Sequence, residues 1–108
     1  MQEIGLYECV DENSQTLYIG SSALSINKLE WNHRNYYRFH DGSETDFRKA
    51  LRDKGSEWTF RWLQLPRKIS RLQAEIEEGM AIRLKQPLYN KDQYPYETSV
   101  YRGRMEQI

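Results

Sequence analysis

An apolar run near the start of the chain, Ile4-Gly5-Leu6-Tyr7-Glu8-Cys9-Val10, reads as a strand. The turn formers Asp11-Glu12-Asn13-Ser14-Gln15 follow, and then a second run, Thr16-Leu17-Tyr18-Ile19-Gly20, so the two are expected to pair as a hairpin. With a loop over Asp11 to Ser14, Val10 pairs with Gln15 and Tyr7 falls opposite Tyr18, both phenols projecting from one face of the sheet. Ser21 and Ser22 suit a helix entry, and a helix is expected from Ser25 to about Phe39. Past His40-Asp41-Gly42-Ser43, a second helix capped by Ser43 is expected from Glu44 to about Lys54, with Phe47, Ala50 and Leu51 on its apolar side and Gly55 as its stop. A third strand alternates aromatic and polar residues over Trp58-Thr59-Phe60-Arg61-Trp62-Leu63 until Pro66 breaks it. The last helix is expected from about Ile69 to Lys85, ended by Pro87, with Ile69, Leu72, Ile76, Met80 and Leu84 as its core stripe.

The order β-β-α-α-β-α predicts an α+β fold, a small, mainly antiparallel three-stranded sheet flanked by helices. At 108 residues the chain is expected to be one domain. The folded part is expected over residues 1–92 and a polar tail over 93–108. Hydrophobic residues make up 38% and charged residues 30%, yet 14 aromatics (3 Trp, 8 Tyr and 3 Phe) argue against disorder. No apolar run approaches the length of a membrane span, and the first residues carry neither a basic nor an apolar region, so no signal peptide is expected. The single cysteine, Cys9, has no internal disulfide partner, and a cytoplasmic protein is expected.

Net charge is zero, but it is unevenly spread. Residues 1–12 carry four acids and no base, whereas Lys28 to Arg71 hold 11 bases against 6 acids, and half of the aromatics lie within the first 33 residues of that stretch. Basic residues interleaved with aromatics suit a nucleic acid, although a solvated surface with some charge clustering would look the same.

Gly5-Leu6-Tyr7 and, ten residues on, Tyr18-Ile19-Gly20 resemble the signature of the GIY-YIG nuclease superfamily, with Leu6 in place of the first isoleucine. The late segment is similar as well: Glu78, Ile82, Pro87 and Asn90 stand at the spacing of that family's catalytic glutamate, a following apolar residue, a proline and an asparagine. The helix containing Phe47-Arg48-Lys49-Ala50-Leu51, followed by Gly55 and an aromatic strand, is similar to the family's middle segment, and the resemblance covers roughly residues 3–92.

The resemblance implies a metal-dependent endonuclease that hydrolyses DNA phosphodiester bonds. Glu78 would hold one Mg²⁺, or Mn²⁺ in its place; Tyr7 would be the general base, its pKa depressed by nearby cations; Tyr18 would orient water or phosphate; Asn90 would brace the site. The family also uses an arginine on the first helix, and here the pattern departs. Lys28 stands at the expected distance from Gly20, whereas Arg34 matches only if about six residues are inserted, with Arg38 one turn on in support. His33 and His40 are both candidates for a second proton carrier. Arg48, Lys49, Arg52, Lys54, Arg61 and Arg67, together with Lys68 and Arg71, are expected along a phosphate-binding surface.

With no room for a separate reading module, low sequence specificity is expected. Three roles fit the resemblance: a phage or mobile-element nuclease, a nicking or single-strand enzyme, or a structure-selective repair nuclease. The aromatic residues favour single-stranded, nicked or branched DNA over intact duplex. A noncatalytic or partner-dependent nucleic-acid-binding module on the same fold, acting as a homodimer or with a protein partner, is the alternative.

Overall fold

A computed structural model describes residues 2–38 and 45–90. Strands β1 (Gln2–Val10) and β2 (Thr16–Ser22) form the expected antiparallel hairpin. Its loop is organised by Asp11, whose carboxylate accepts from the backbone N–H groups of Asn13 and Gln15, both at 2.9 Å. The expected register is not the one found. Gln15 stays in the loop, its carbonyl accepting from the Asp11 N–H at 3.1 Å. Val10 therefore pairs with Thr16, and a bulge between Cys9 and Val10 adds a further residue to β2. Two single-residue shifts restore the alternation of faces. Tyr7 thus lies opposite Gly20 and Cys9 opposite Tyr18, so the two tyrosines share a face as diagonal neighbours rather than as a direct pair.

Strand β3 (Thr59–Ile69) pairs antiparallel with β1, giving the sheet order β2-β1-β3. It runs straight through Pro66, which was expected to end it. An edge strand has one side free of ladder bonds, and proline's missing N–H costs nothing there. Opposite Gly5 the strand also carries an extra residue, since Ile4 pairs with Arg67 and Leu6 with Gln64. Gly5 is needed at this crossing, because a Cβ would sit 2.7 Å from the Trp62 ring.

Three helices flank the sheet. Helix α1 (Ile26–Arg34), capped by the Ser25 hydroxyl, is shorter than expected and gives way to a 3-10 turn over Tyr36–Arg38. Helix α2 (Asp46–Lys54) is capped by Thr45 rather than Ser43, which lies outside the described residues, and stops at Gly55 as expected. Phe47 and Leu51 of α2 join Leu29 of α1 and Tyr7, Cys9, Leu17, Trp58 and Phe60 in the core on one face of the sheet. Cys9 is fully buried there, and burial pushes its thiol up to about 12.

Helix α3 (Arg71–Lys85), capped by Ser70, lies against β2 and β1 and leads through Gln86, in the left-handed conformation, to a 3-10 turn over Leu88–Asn90. Its orientation reverses the expectation. Ala74 and Ile82 are 0% and 1% exposed, whereas Leu72, Met80 and Leu84 of the expected core stripe are 66%, 60% and 85% exposed. The side that packs on β2 and β1 is the one carrying Ala74, Gly79 and Ile82, the buried residues of the helix. None of the described helices is long and apolar enough to cross a membrane.

Glu8 projects to the face away from the tyrosines, where it is buried. Its carboxylate accepts from Thr16 Oγ1 at 2.7 Å, Arg61 Nε at 2.9 Å and Lys85 Nζ at 3.3 Å, joining all three strands to α3. Burial works to raise its pKa, but the bonds from Thr16 and Arg61 and the charge of Lys85 outweigh it and hold the carboxyl below its ordinary 4.5. The folded chain thus holds this proton less tightly than the unfolded chain. The stabilisation is complete above pH 4.5 and is lost as pH falls from there through the lower folded value. Glu8→Gln is expected to cost about 1–3 kcal/mol at neutral pH, the worth of hydrogen bonds to a charged group. It should also flatten the acid limb of a stability–pH curve measured by urea unfolding; an unchanged acid limb would refute the assignment.

Candidate active site

The tyrosine face of the hairpin closes on α1 and α2 through a cluster of rings. Tyr18 stacks on Phe47 with centroids 4.3 Å apart, and His33 sits within 5.8 Å of both tyrosines while packing on Phe47 and Phe60. Tyr7 lies directly over Gly20, where a Cβ would meet the phenol oxygen at 2.4 Å. The glycine of the second tripeptide is therefore a steric requirement of the tyrosine in the first.

Polar atoms in the cluster form a directed chain. Arg48 Nε donates to His33 Nδ1 at 3.3 Å, and His33 Nε2 lies 2.8 Å from the Tyr7 oxygen. Guanidinium has no acceptor, so Nδ1 is the bare nitrogen, Nε2 carries the proton and His33 donates to Tyr7. The Tyr7 hydroxyl in turn bonds to Tyr18, which lowers Tyr18 and raises Tyr7. Burial, and after it the Arg48 charge, pushes His33 down to about 4, so the ring is neutral at physiological pH.

Burial pushes the Tyr7 phenol above its ordinary value; the neighbouring Tyr18 and Glu78 add to the rise, and Arg48 opposes it. Tyr18 is raised by burial and by Glu78, again against Arg48. The expected depression of Tyr7 is thus not what this arrangement produces, because one cation does not offset burial and a facing carboxylate.

Glu78 reaches this end of the sheet from the buried side of α3. Burial raises its pKa, two hydrogen bonds to Ser21 partly offset the rise, and the charges of Glu75 and Arg71 act in opposite directions. Asn90 braces the same edge. Its Oδ1 accepts from the Ile19 N–H at 2.8 Å and its Nδ2 donates to the Ile19 carbonyl at 3.0 Å, so one side chain completes the β2 edge as a further strand residue would. No three of His, Cys, Asp or Glu form a metal-binding group among the described residues. A Mg²⁺ ion commonly binds through one or two carboxylates together with substrate phosphates and keeps several waters. Glu78 beside the Ser21 hydroxyl fits an ion held jointly with a phosphate.

The structure brings together Tyr7, Tyr18, His33, Glu78 and Asn90, and it adds Arg48 beside His33. Arg34 is placed elsewhere. Its guanidinium bonds the Gly55 and Trp58 carbonyls at 2.9 and 2.8 Å and the Glu30 carboxylate at 2.7 Å, which fixes the turn before β3. Lys28 is exposed on α1, and His40 lies outside the described residues. Of the expected phosphate-binding residues, Lys49 and Lys54 are exposed on α2, while Arg38 and Arg52 lie over the exposed Tyr37 ring at 5.9 and 5.2 Å. Lys68 is exposed on β3, and Arg71 bonds Gln2 at 3.4 Å. Arg61 and Arg67 are committed to Glu8 and Glu77. In the sequence Arg48 reads as one surface base among several; fifteen residues and a packed helix pair separate it from His33, and no spacing rule joins them.

Comparisons of the chain with protein-family models, with curated proteins and with solved structures find no match.

Proposed function

We propose that this chain is a metal-dependent endonuclease of the GIY-YIG type, cutting DNA with little sequence specificity. The observation that carries the reading is the convergence of Tyr7, Tyr18, His33, Arg48 and the Glu78 carboxylate at one end of a three-stranded sheet. Phosphodiester hydrolysis needs an activated water and charge relief on the phosphoryl oxygens. Glu78 would hold a divalent ion, which would supply the charge relief. Arg48 and neutral His33 polarise the Tyr7 oxygen, and the Tyr7–Tyr18 bond sets how the two phenols share their protons. Both tyrosines are phenols in the free protein, and Glu78's negative charge is among the causes; base catalysis by Tyr7 therefore depends on that charge being neutralised.

Unpaired bases suit the surface beside the site. The Arg48 guanidinium lies 3.9 Å over Tyr36, Tyr37 has Arg38 and Arg52 beside it, and Trp31 is exposed on α1. Aromatic faces flanked by arginines stack bases without reading them. Single-stranded, nicked or branched DNA is the substrate this favours.

Arg48 fills the role for which the sequence offers Arg34 or Lys28. Arg48→Ala should lower the rate of DNA cleavage in Mg²⁺ by about 10²–10³ per folded molecule, the cost of one electrostatic group, and should also cost about 1–3 kcal/mol of stability by leaving buried His33 Nδ1 without its donor. Arg34→Ala should lower the melting temperature and leave cleavage per folded molecule nearly intact. The opposite pattern in a gel assay paired with a melting curve would return the role to α1. A second reading, a noncatalytic nucleic-acid-binding module, is favoured by the raised Tyr7 pKa and by Arg34's commitment to a turn. Binding of single-stranded, duplex and branched DNA with no cleavage of any of them would select it.

A further inference from the structure

Helix α3 carries an apolar row that the domain does not use. Leu72, Ile76, Met80 and Leu84 follow one another at intervals of four, all exposed, and Leu65 of β3 is exposed as well. Beside the row, Leu6, Leu63, Met80, Ala81 and Leu84 line an open groove of about 470 Å³. Contiguous apolar patches above roughly 300–600 Å² mark interaction sites, and five side chains exposed by half or nearly so present area of that order.

We infer that this row is the contact surface of a symmetric homodimer in which α3 packs antiparallel on α3 of a second copy. A row at i, i+4, i+8 and i+12 is the ridge that interdigitates with its own kind at a crossing angle near −50°. A twofold axis level with residue 78 sets Leu72 against the second copy's Leu84 and Ile76 against its Met80. Charge selects the antiparallel sense. At about 100° per residue, Glu75 and Arg83 lie on the same flank of the ridge. In an isologous antiparallel pair like flanks meet, so Glu75 of each copy faces Arg83 of the other, twice over. A parallel pair would set Glu75 across from Gln73 and forgo both contacts.

Glu78 lies on the opposite side of the helix from the row, turned towards β2. The contact therefore leaves both candidate active sites open and presents two of them in one particle.

The test is molar mass by light scattering over a range of concentrations, without DNA, so that its outcome is independent of the nuclease reading. The expected result is a concentration-dependent doubling of mass. Ile76→Glu should abolish dimerisation while leaving the circular dichroism unchanged. Glu75→Arg alone should weaken the dimer at least about tenfold, and Glu75→Arg with Arg83→Glu should restore it. Full-chain Met80→Cys adds a reading of what covers the row, because Cys9 is buried and silent. Thiol protection that grows with protein concentration supports the dimer. A wild-type chain that stays monomeric overturns it, with constant protection assigning the cover to residues 91–108 and free reactivity leaving the row for a different protein. Failure of the charge swap to restore association overturns the antiparallel arrangement.

Discussion

Glu78→Gln is expected to remove metal-dependent cleavage, by about a thousandfold or more, without lowering stability. Glutamine keeps the shape and a hydrogen-bond partner for Ser21 but carries no charge for a divalent ion, and loss of one such electrostatic group costs several kcal/mol at a phosphoryl transition state. The stability half of the prediction comes from the sign of the shift. Burial raises the Glu78 pKa, so the folded state disfavours the carboxylate relative to the unfolded chain, and at neutral pH its charge is a burden on folding. Neutralising it leaves the melting temperature unchanged or slightly higher. Wild-type cleavage should likewise fade towards acid pH, because protonation of this carboxylate competes with metal binding. Cleavage of labelled DNA in Mg²⁺ and in EDTA, beside a melting curve, checks both halves. Cleavage by Glu78→Gln, or by the wild type in EDTA, would sink the assignment.

Asn90→Ala is expected to be the most damaging change to the fold, at about 2–5 kcal/mol. The side chain is 1% exposed and meets both polar groups of the Ile19 backbone. Truncation leaves a buried donor and a buried acceptor unpaired, each worth about 1–3 kcal/mol, and opens a void beside β2. Because Ile19 lies between Tyr18 and Gly20, loosening the strand also loosens the seat of Tyr7. Asn90→Asp keeps the acceptor for the Ile19 N–H and loses the donor to its carbonyl, so it should fall between wild type and Asn90→Ala in urea unfolding. A cost below about 1 kcal/mol for Asn90→Ala would show that the strand edge does not depend on it.

The proposed dimer and the proposed chemistry meet in α3. That helix offers its small residues and Glu78 to the sheet and its large apolar residues to the outside. A monomer would gain little from Leu72, Ile76, Met80 and Leu84 in those positions, whereas a row of alanines or polar residues would spare it the exposed area.

Much of the site could be read in the chain. Two strand-like runs joined by turn formers announce the hairpin, and the two tripeptides place Tyr7 and Tyr18 on it. The hairpin and its tyrosines are local features, which backbone propensity and period suffice to find; Glu78, Asn90 and the histidine candidates His33 and His40 stand out only through the resemblance to the GIY-YIG family. Three decisions needed the folded chain. The face of α3 that turns inward depends on what it meets: the sequence periodicity selects the row of large apolar residues, but the side that packs on β1 and β2 is the one carrying Ala74, Gly79 and Ile82. The hairpin register depends on a bulge and a five-residue loop, two shifts that cancel in parity and leave no mark on the pattern. Which arginine meets His33 depends on how α1 and α2 pack, which aims Arg48 at His33 and ties Arg34 to the Gly55 and Trp58 carbonyls. Period and propensity report how each element is built, while the choice of face, register and partner is made by the surfaces that elements show one another across the core.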